Sequence, residues 1–424
     1  MSAHLLCEAC GRRSPAATAL ECACGGLLEA VQAPRLRSAA LRRRFDSRAR
    51  LGATGEAGAA SSGVWRFREL LLPGRGPVVS HPEGNTTLYR REAVAQWAGV
   101  RDLSLKHEGE NPTGSFKDRG MTVAVTQAVR SGASAVACAS TGNTSASMAA
   151  YAAQAGLPAL VFVPAGKVAS GKLAQAVAYG ARTLLVRGDF DACLRLARQA
   201  ARELGVTLLN SVNPWRLEGQ KTIVLELLQQ RAWRPPDWIV VPAGNLGNTS
   251  AFGKALREAR ALGLVRRVPR LAAVQARGAN PFYRSFRTGF RRRFRVAPET
   301  VATAIRIGDP ASFARAVRAI QETRGVVAQV GDREILEAKA VVDAAGIGCE
   351  PASAAAVAGV RRLRRAGVIR PRDSVVAVLT GHLLKDPQAV MDYHASGARS
   401  ANPPQAVEPT LSAVARILRR AGRD

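Results

Sequence analysis

A chain of 424 residues that is 47% hydrophobic is long and apolar enough to bury the cores of two domains, which excludes an intrinsically disordered protein. The formal charge of +29 comes from 61 Lys and Arg against 32 Asp and Glu, with only eight lysines; the basic residues are spread along the chain, aromatics are 5%, and no nucleic-acid module is visible, so nucleic acid is not expected as a partner. No stretch is apolar for long enough to span a bilayer, residues 1–6 are too short for a signal-peptide core, and seven cysteines, an odd number, read as reduced thiols, so a cytoplasmic protein with no membrane partner is expected.

In chain order, residues 1–33 come first, with Cys7 and Cys10 in a CxxC knuckle and Cys22 and Cys24 in CxCGG. Two such pairs suggest four thiolates around one structural zinc ion in a zinc-ribbon-like module, with no open coordination position for catalysis. The alternative is four free thiols on a short flexible arm. Residues 34–62, rich in Arg, Ala, Gly and Ser and closing on GEAGAASSG, read as a flexible linker. The body, residues 63–395, alternates short β-branched runs (SAVACAS, ALVFVPA, RTLLVRG, VTLLNS, DWIVVPAGN, LAAVQA, SVVAVLTG) with helical stretches such as MTVAVTQAVRSG and TSASMAAYAAQAG. That alternation predicts an α/β fold with mostly parallel sheets, whose ligands sit at the carboxyl ends of the strands. Polar runs stand at those ends: STGNTS, NSVNPWRLEGQK, GNLGNTS and TGHLLKDP. The densest basic clusters, Arg42–Arg44 and Arg291–Arg293 with Arg295, read as solvated loops, with an acidic partner as the alternative. Residues 396–424 form a tail in which LSAVARILRRAGR is an amphipathic helix, packed on its own domain or serving a dimer.

The run ENPTGSFKDRGM delivers Lys117 through a Pro-Thr-Gly turn to the first turn of a helix. Helix N-termini disfavour cations, so an ammonium there costs stability unless its charge is lost, paired or modified. Lys117 is therefore a candidate reactive amine, a Schiff-base lysine for a carbonyl cofactor such as pyridoxal phosphate; a solvated loop lysine is the alternative. GNLGNTSAF places Gly244, Asn245, Leu246, Gly247 and Asn248 between a strand and a helix, where backbone N–H groups can face a phosphate. STGNTS offers the Asn143 amide and the hydroxyls of Ser140, Thr141 and Thr144, more than an N-cap requires. Thr380 ends an apolar strand with a neutral hydroxyl able to hydrogen-bond a pyridine nitrogen without protonating it. His382 is given no proton-transfer role.

Together, EGNTT at 83–87, ENPTGSFKDRGM, ASTGNTSASMAAYAA, NSVNPWRLEGQKT, VPAGNLGNTSAF, ATAIRIGDPASF, EPASAAAVAG and LTGHLLKDP resemble the threonine synthase family, in the same order and over about residues 63–390. The resemblance implies a two-lobed tryptophan-synthase-β-like fold, with the smaller lobe at roughly 120–215 and pyridoxal phosphate between the lobes. It implies Lys117 as the Schiff-base lysine and main acid and base, Asn143 at the cofactor's 3-hydroxyl, Thr380 at its pyridine nitrogen, and residues 244–248 around its phosphate. It further implies Thr144, Asn210, Ser211 and Arg216 as the group receiving the phosphate of O-phospho-L-homoserine, which water converts to L-threonine and phosphate. A homodimer is expected as the assembly. The chain departs from the family pattern at Thr87, where Pro is expected, at Asp309 in place of Asn, and at Leu383 in place of Gly. The competing readings are a serine or threonine dehydratase and a non-catalytic binding protein of the same fold.

Overall fold

The computed structural model describes every residue except 1–3, 15–18, 33–37, 52–58, 60, 73, 75, 167–169, 399 and 422–424. The elements run β1 (His4–Cys7), β2 (Arg13–Ser14), β3 (Leu28–Val31), α1 (Ser38–Leu51), β4 (Leu88–Tyr89), α2 (Glu92–Ala98), β5 (Asp102–His107), α3 (Lys117–Arg130), β6 (Ala135–Ala139), α4 (Asn143–Gln154), β7 (Ala159–Pro164), α5 (Ser170–Ala178), β8 (Arg182–Val186), α6 (Phe190–Glu203), β9 (Val206–Leu208), α7 (Pro214–Gln220) and α8 (Thr222–Gln230). They continue with β10 (Trp238–Pro242), α9 (Gly247–Ala261), β11 (Arg270–Ala276), α10 (Pro281–Arg287), α11 (Phe313–Glu322), β12 (Val326–Val330), α12 (Asp332–Ala344), α13 (Pro351–Arg365), β13 (Ser374–Leu379), α14 (Pro387–Ala395) and α15 (Leu411–Ala421). No helix among the described residues is long and apolar enough to cross a membrane.

Two sheets organise the body. A six-stranded sheet has the order β12-β11-β10-β13-β5-β4 and is parallel except where β4 joins β5. A four-stranded sheet, β8-β7-β6-β9, is parallel throughout and falls inside the stretch expected for the smaller lobe. The central strands read as unbroken apolar runs because helices cover both faces, as in β10, where all five residues are buried. Small residues set the helix-to-sheet distance: α13 is buried along Ala352 to Val360, and a Cβ on its Gly359 would stand 2.4 Å from Val274 of β11. Beneath α3 lies a buried ionic cluster, in which Glu226 binds Lys106 at 2.6 Å and Arg119 at 2.8 Å, and Arg119 binds Glu108 at 2.6 Å.

The expected linker is corrected in part. Within residues 34–62, α1 buries Leu41 and Phe45, one helical turn apart, in the same core as Phe252 and Phe282. Its Arg48 takes both oxygens of Glu69 at 2.7 Å, and Arg42 donates to the Gly263 carbonyl at 2.9 Å, so of the Arg42–Arg44 cluster Arg42 is docked while Arg43 and Arg44 are exposed. Residues 52–58 lie outside the described residues. The C-terminal unit spans residues 387–424, so it begins before the expected tail at 396; α15 exposes Leu411, Val414 and Leu418.

Candidate active site

Lys117 is the first residue of α3, as its sequence context predicts, and a clasp between distant segments holds it there. Ser115 bridges Gly381 in antiparallel fashion, Phe116 N donates to the Thr380 carbonyl at 3.0 Å, and His382 N donates to the Gly114 carbonyl at 2.9 Å. Gly114 sits at φ +81°, and a Cβ there would meet Lys385 Cε at 2.9 Å. Asp118, next in the chain, accepts from Thr113 N at 2.7 Å and from the hydroxyls of Thr113 and Ser147 at 2.6 Å, pinning the first turn. Burial, then the nearby Arg216 guanidinium, pull the Lys117 amine from its ordinary range down to about 7. Its Nζ lies 4.1 Å from the Phe116 ring centroid.

Asn143 and Thr380 face one another across a carboxylate. Asn143 Nδ2 donates to Glu350 Oε2 at 3.0 Å, and Thr380 Oγ1 donates to Glu350 Oε1 at 3.2 Å. Ser353 completes the cradle, accepting from Thr380 N at 2.8 Å and Gly381 N at 2.9 Å. Gly381 has to lack a side chain, since a Cβ would stand 2.5 Å from the Glu350 carboxyl carbon. Burial raises the Glu350 carboxyl above its usual range, against the lowering effect of its hydrogen bonds from Asn143 and Thr380. Glu350 and Ser353 escaped the sequence analysis as site residues. The available signal was EPASAAAVAG, an acid and a proline opening a small-residue helix. His382 serves locally, its Nδ1 accepting from Leu384 N at 3.2 Å.

The loop between β10 and α9 turns on Leu246, a buried leucine at φ +63°, a conformation that a bulky residue adopts only where its surroundings enforce it. Asn245 is braced by Ala311 N to its side chain at 3.1 Å and by Ser312 N to its carbonyl at 3.2 Å. Asn248 Oδ1, Thr249 Oγ1, Ser312 Oγ and Gln220 Oε1 are buried without hydrogen-bond partners among the described residues, and Gln220 Oε1 lies 3.3 Å from the Cβ position of Gly247. Buried polar atoms are rarely left orphaned; here the hydroxyls of Thr249 and Ser312 gather near a helix N-terminus, where they and the backbone N–H groups can donate to an anionic phosphate, whereas the two amide oxygens are acceptors and call for a donor.

Arg216 of α7 is buried, donates through Nη1 to the Leu209 carbonyl at 3.1 Å, and leaves Nε unpartnered. Among the described residues no carboxylate pairs with it, and burial lowers the guanidinium to about 10, leaving it cationic at neutral pH. Asn210 has a structural duty: its amide accepts from Ala139 N at 2.9 Å and donates to Ala139 O at 3.0 Å, continuing the β6 pairing past the end of β9. Thr144 is half-buried in the first turn of α4, and Ser211 is half-buried in the turn between β9 and α7.

Residues 79–381 match the family described as pyridoxal-phosphate dependent enzyme. The chain is 50% identical over 331 residues to a threonine synthase of Methanosarcina acetivorans, covering 78% of this chain and 82% of that one. It is 42% identical over 406 residues to a threonine synthase of Methanocaldococcus jannaschii, covering 94% and 95%. The chain belongs to the threonine synthase family. Solved structures share the fold: threonine deaminase isoform 2 from Solanum lycopersicum has a TM-score of 0.62 at 20% identity, over 72% of this chain and 87% of that one. Maize serine racemase has 0.62 at 21%, over 73% and 92%. The family cofactor is pyridoxal phosphate, and the residues present fit it: a half-buried amine of lowered basicity, a cradle of amide and hydroxyl, and an orphaned polar surface at a helix start.

The departures from the threonine synthase pattern have local reasons. Thr87 supplies an N–H that proline would lack, and it donates to Glu110 at 2.6 Å. Asp309 ties Arg293 at 2.5 Å and Arg295 at 2.9 Å, so the Arg291–Arg295 run is partly neutralised within the chain. Leu383 lies against Gly348, whose Cβ position is 2.3 Å from Leu383 Cδ2.

The N-terminal segment is a docked ribbon, not a flexible arm. β1 lies between β2 and β3, and Leu5, Cys7, Leu28 and Ala30 join the core around Trp65. The Sγ atoms of Cys7, Cys10, Cys22 and Cys24 all lie within 4.8 Å of one another. Separations of 3.5 Å for Cys7 and Cys24, 3.7 Å for Cys10 and Cys22, and 3.4 Å for Cys10 and Cys24 are close to the roughly 3.8 Å edge of a tetrahedron built on Zn–S bonds of about 2.3 Å. The donor set therefore suits one structural zinc ion.

Proposed function

We propose that the protein converts O-phospho-L-homoserine and water into L-threonine and phosphate. The observation that carries this reading is Arg216, a buried guanidinium without a carboxylate partner among the described residues, close enough to Lys117 to depress its basicity. Such a fork is matched by a phosphate group, and a substrate lacking phosphate would leave it bare.

Pyridoxal phosphate, when bound, supplies an electron sink for charge developing at the substrate's α carbon. The chain's residues do the rest. The loop 244–248 and the start of α9 hold the cofactor phosphate, Asn143 its 3-hydroxyl and Thr380 its pyridine nitrogen. Thr380, a neutral donor and acceptor, leaves that nitrogen unprotonated. Lys117, with an amine near 7, can take protons from the α and β carbons, the second as phosphate leaves Cγ, and return them at Cγ and, once water has added its oxygen at Cβ and given its spare proton to the departed phosphate, at Cα near neutral pH. Arg216, with Thr144 and Ser211, receives the substrate phosphate and steadies it as it departs from Cγ; Asn210 shapes this subsite through its pairing with Ala139.

We place the reaction in the cytoplasm, supported by the free, buried thiols of Cys138, Cys193 and Cys349, and in a homodimer, supported by the apolar side chains that α15 exposes. Purified protein should be yellow and should release phosphate and threonine from O-phosphohomoserine. A colourless protein that stays inactive with added cofactor would refute the proposal, and ammonia release from threonine without phosphohomoserine turnover would replace it with a dehydratase.

A further inference from the structure

α7 carries two charged side chains that face opposite ways. Arg216 and Glu218 are separated by about 200° around a helix of 3.6 residues per turn, so when one addresses Lys117 the other points to the far side. On that far side is the cysteine ribbon. Glu218 is fully buried, accepts from Lys221 Nζ at 2.6 Å and from Lys254 Nζ, and receives Gln32 Nε2, just after β3, at 3.2 Å. Lys254 of α9 also donates to the Ala30 carbonyl of β3 and lies 3.6 Å from Glu29 Oε1. Glu29 and Glu8 of the ribbon hold Arg257 at 2.9 Å, Arg315 at 2.6 Å and Arg318 at 2.7 Å.

The near side of α7 rests directly on the backbone of α3, the helix that Lys117 opens. A Cβ on Gly219 would stand 1.7 Å from the Arg119 carbonyl oxygen, and one on Gly120 would stand 3.1 Å from the Arg216 carbonyl oxygen. A helix of two turns does not hold its own geometry; its seat comes from what grips it. Here the grips are α3 on one side and the Glu218 cluster on the other. Fully buried ion clusters contribute little net stability compared with apolar packing, and their best-attested use is to fix register.

We infer that the cysteine ribbon is a working part of the substrate-phosphate subsite, with Glu218 the positioning residue through which it seats α7 and fixes where Arg216 presents its guanidinium. The inference rests on the reading of Arg216 as the substrate-phosphate residue. Zinc in the ribbon would act only by holding β3 in place.

The decisive variant is Glu218→Gln in the cofactor-loaded enzyme, which keeps the side chain's size and removes its charge. The KM for O-phosphohomoserine and the inhibition constant of inorganic phosphate should rise together by about tenfold, while kcat changes by less than about threefold and cofactor absorbance per chain is unchanged. Glu29→Gln, on the ribbon itself, should move both constants in the same direction by a smaller factor, and it carries the test if Glu218→Gln does not fold. Unchanged constants in Glu29→Gln, or a fall in kcat with both constants unmoved in Glu218→Gln, would overturn the inference. Phosphate binding is also read without turnover, as a perturbation of the cofactor's absorbance. If the native enzyme does not consume phosphohomoserine, the functional proposal falls while the link from Glu218 to phosphate affinity is still measured.

Discussion

Asn143 and Thr380 donate to opposite oxygens of one buried carboxylate, that of Glu350, at 3.0 and 3.2 Å. The same two side chains are the ones proposed to hold the 3-hydroxyl and the ring nitrogen of the cofactor, so Glu350 keeps the cradle spaced and engages the Thr380 hydrogen that would turn to the ring nitrogen. Its charge also favours the protonated form of Lys117. In Glu350→Gln that support is lost, and the Lys117 amine should titrate below its native value of about 7. The check is the rate at which cofactor-free protein takes up pyridoxal phosphate as a function of pH. The half-maximal rate should lie near pH 7 in the native protein and about 0.5 to 1 unit lower in the variant; a shift to higher pH would contradict the assigned geometry.

Lys117 should also shape the stability of the cofactor-free protein. Its folded-state value of about 7 lies below the ordinary lysine value of 10.5, so between those limits the unfolded chain binds more protons than the folded one. Stability is therefore lowest at and below pH 7 and rises as pH climbs toward 10.5. Urea unfolding from pH 6 to 10 should show that slope, worth about 1 to 2 kcal/mol once partial solvent screening of a half-buried group is allowed for. In Lys117→Met the slope should shrink by that amount, leaving the share of Lys106 and Lys385, whose amines burial also lowers, and turnover should fall to background.

What was legible in the sequence, and what was not, follows from where the information lies. Lys117 could be found because a cation at a helix start is locally anomalous, and the strands of the parallel sheets because burial on both faces leaves an apolar run. β5 gave no such run: Ser104 and Lys106 are buried in it, the latter against Glu226, a partner remote in sequence. α1 was hidden by arginines that outnumber Leu41 and Phe45, the two residues that dock it. Glu350 was visible as a helix-opening acid, but its meaning depends on the approach of Asn143 and Thr380, which only the folded chain supplies. The duty of Asn210 was equally hidden, because its partner is the backbone of Ala139 rather than a motif.

Arg216 sets function against stability. A buried guanidinium with an unpartnered Nε is desolvated without full compensation. Arg216→Met should therefore raise the melting temperature of the cofactor-free protein by a few degrees, a gain of about 1 kcal/mol or more. The same change should lower kcat/KM for O-phosphohomoserine by about 10² to 10³-fold, the loss of a charge-assisted pair with the substrate phosphate. Calorimetry and steady-state kinetics on the same preparation check both signs. A variant that is less stable and still active would show that the arginine belongs to the core rather than to the substrate.

The cysteine ribbon should bind one zinc ion per chain. Its four cysteines are free, their sulfur atoms all lie within 4.8 Å of one another, and four thiolates left without a cation would repel. Because β3 packs Leu28 and Ala30 into the body core and its Glu29 engages Arg257 and Arg318, loss of the metal should be felt beyond the ribbon. Cys10→Ser should release zinc, measurable as a fall from about one equivalent per chain by atomic absorption, and should lower stability by about 2 kcal/mol or more. The loss should be steeper below pH 6, where protons compete for the remaining thiolates. Full zinc retention in both Cys10→Ser and Cys22→Ser would remove the four-sulfur site from consideration.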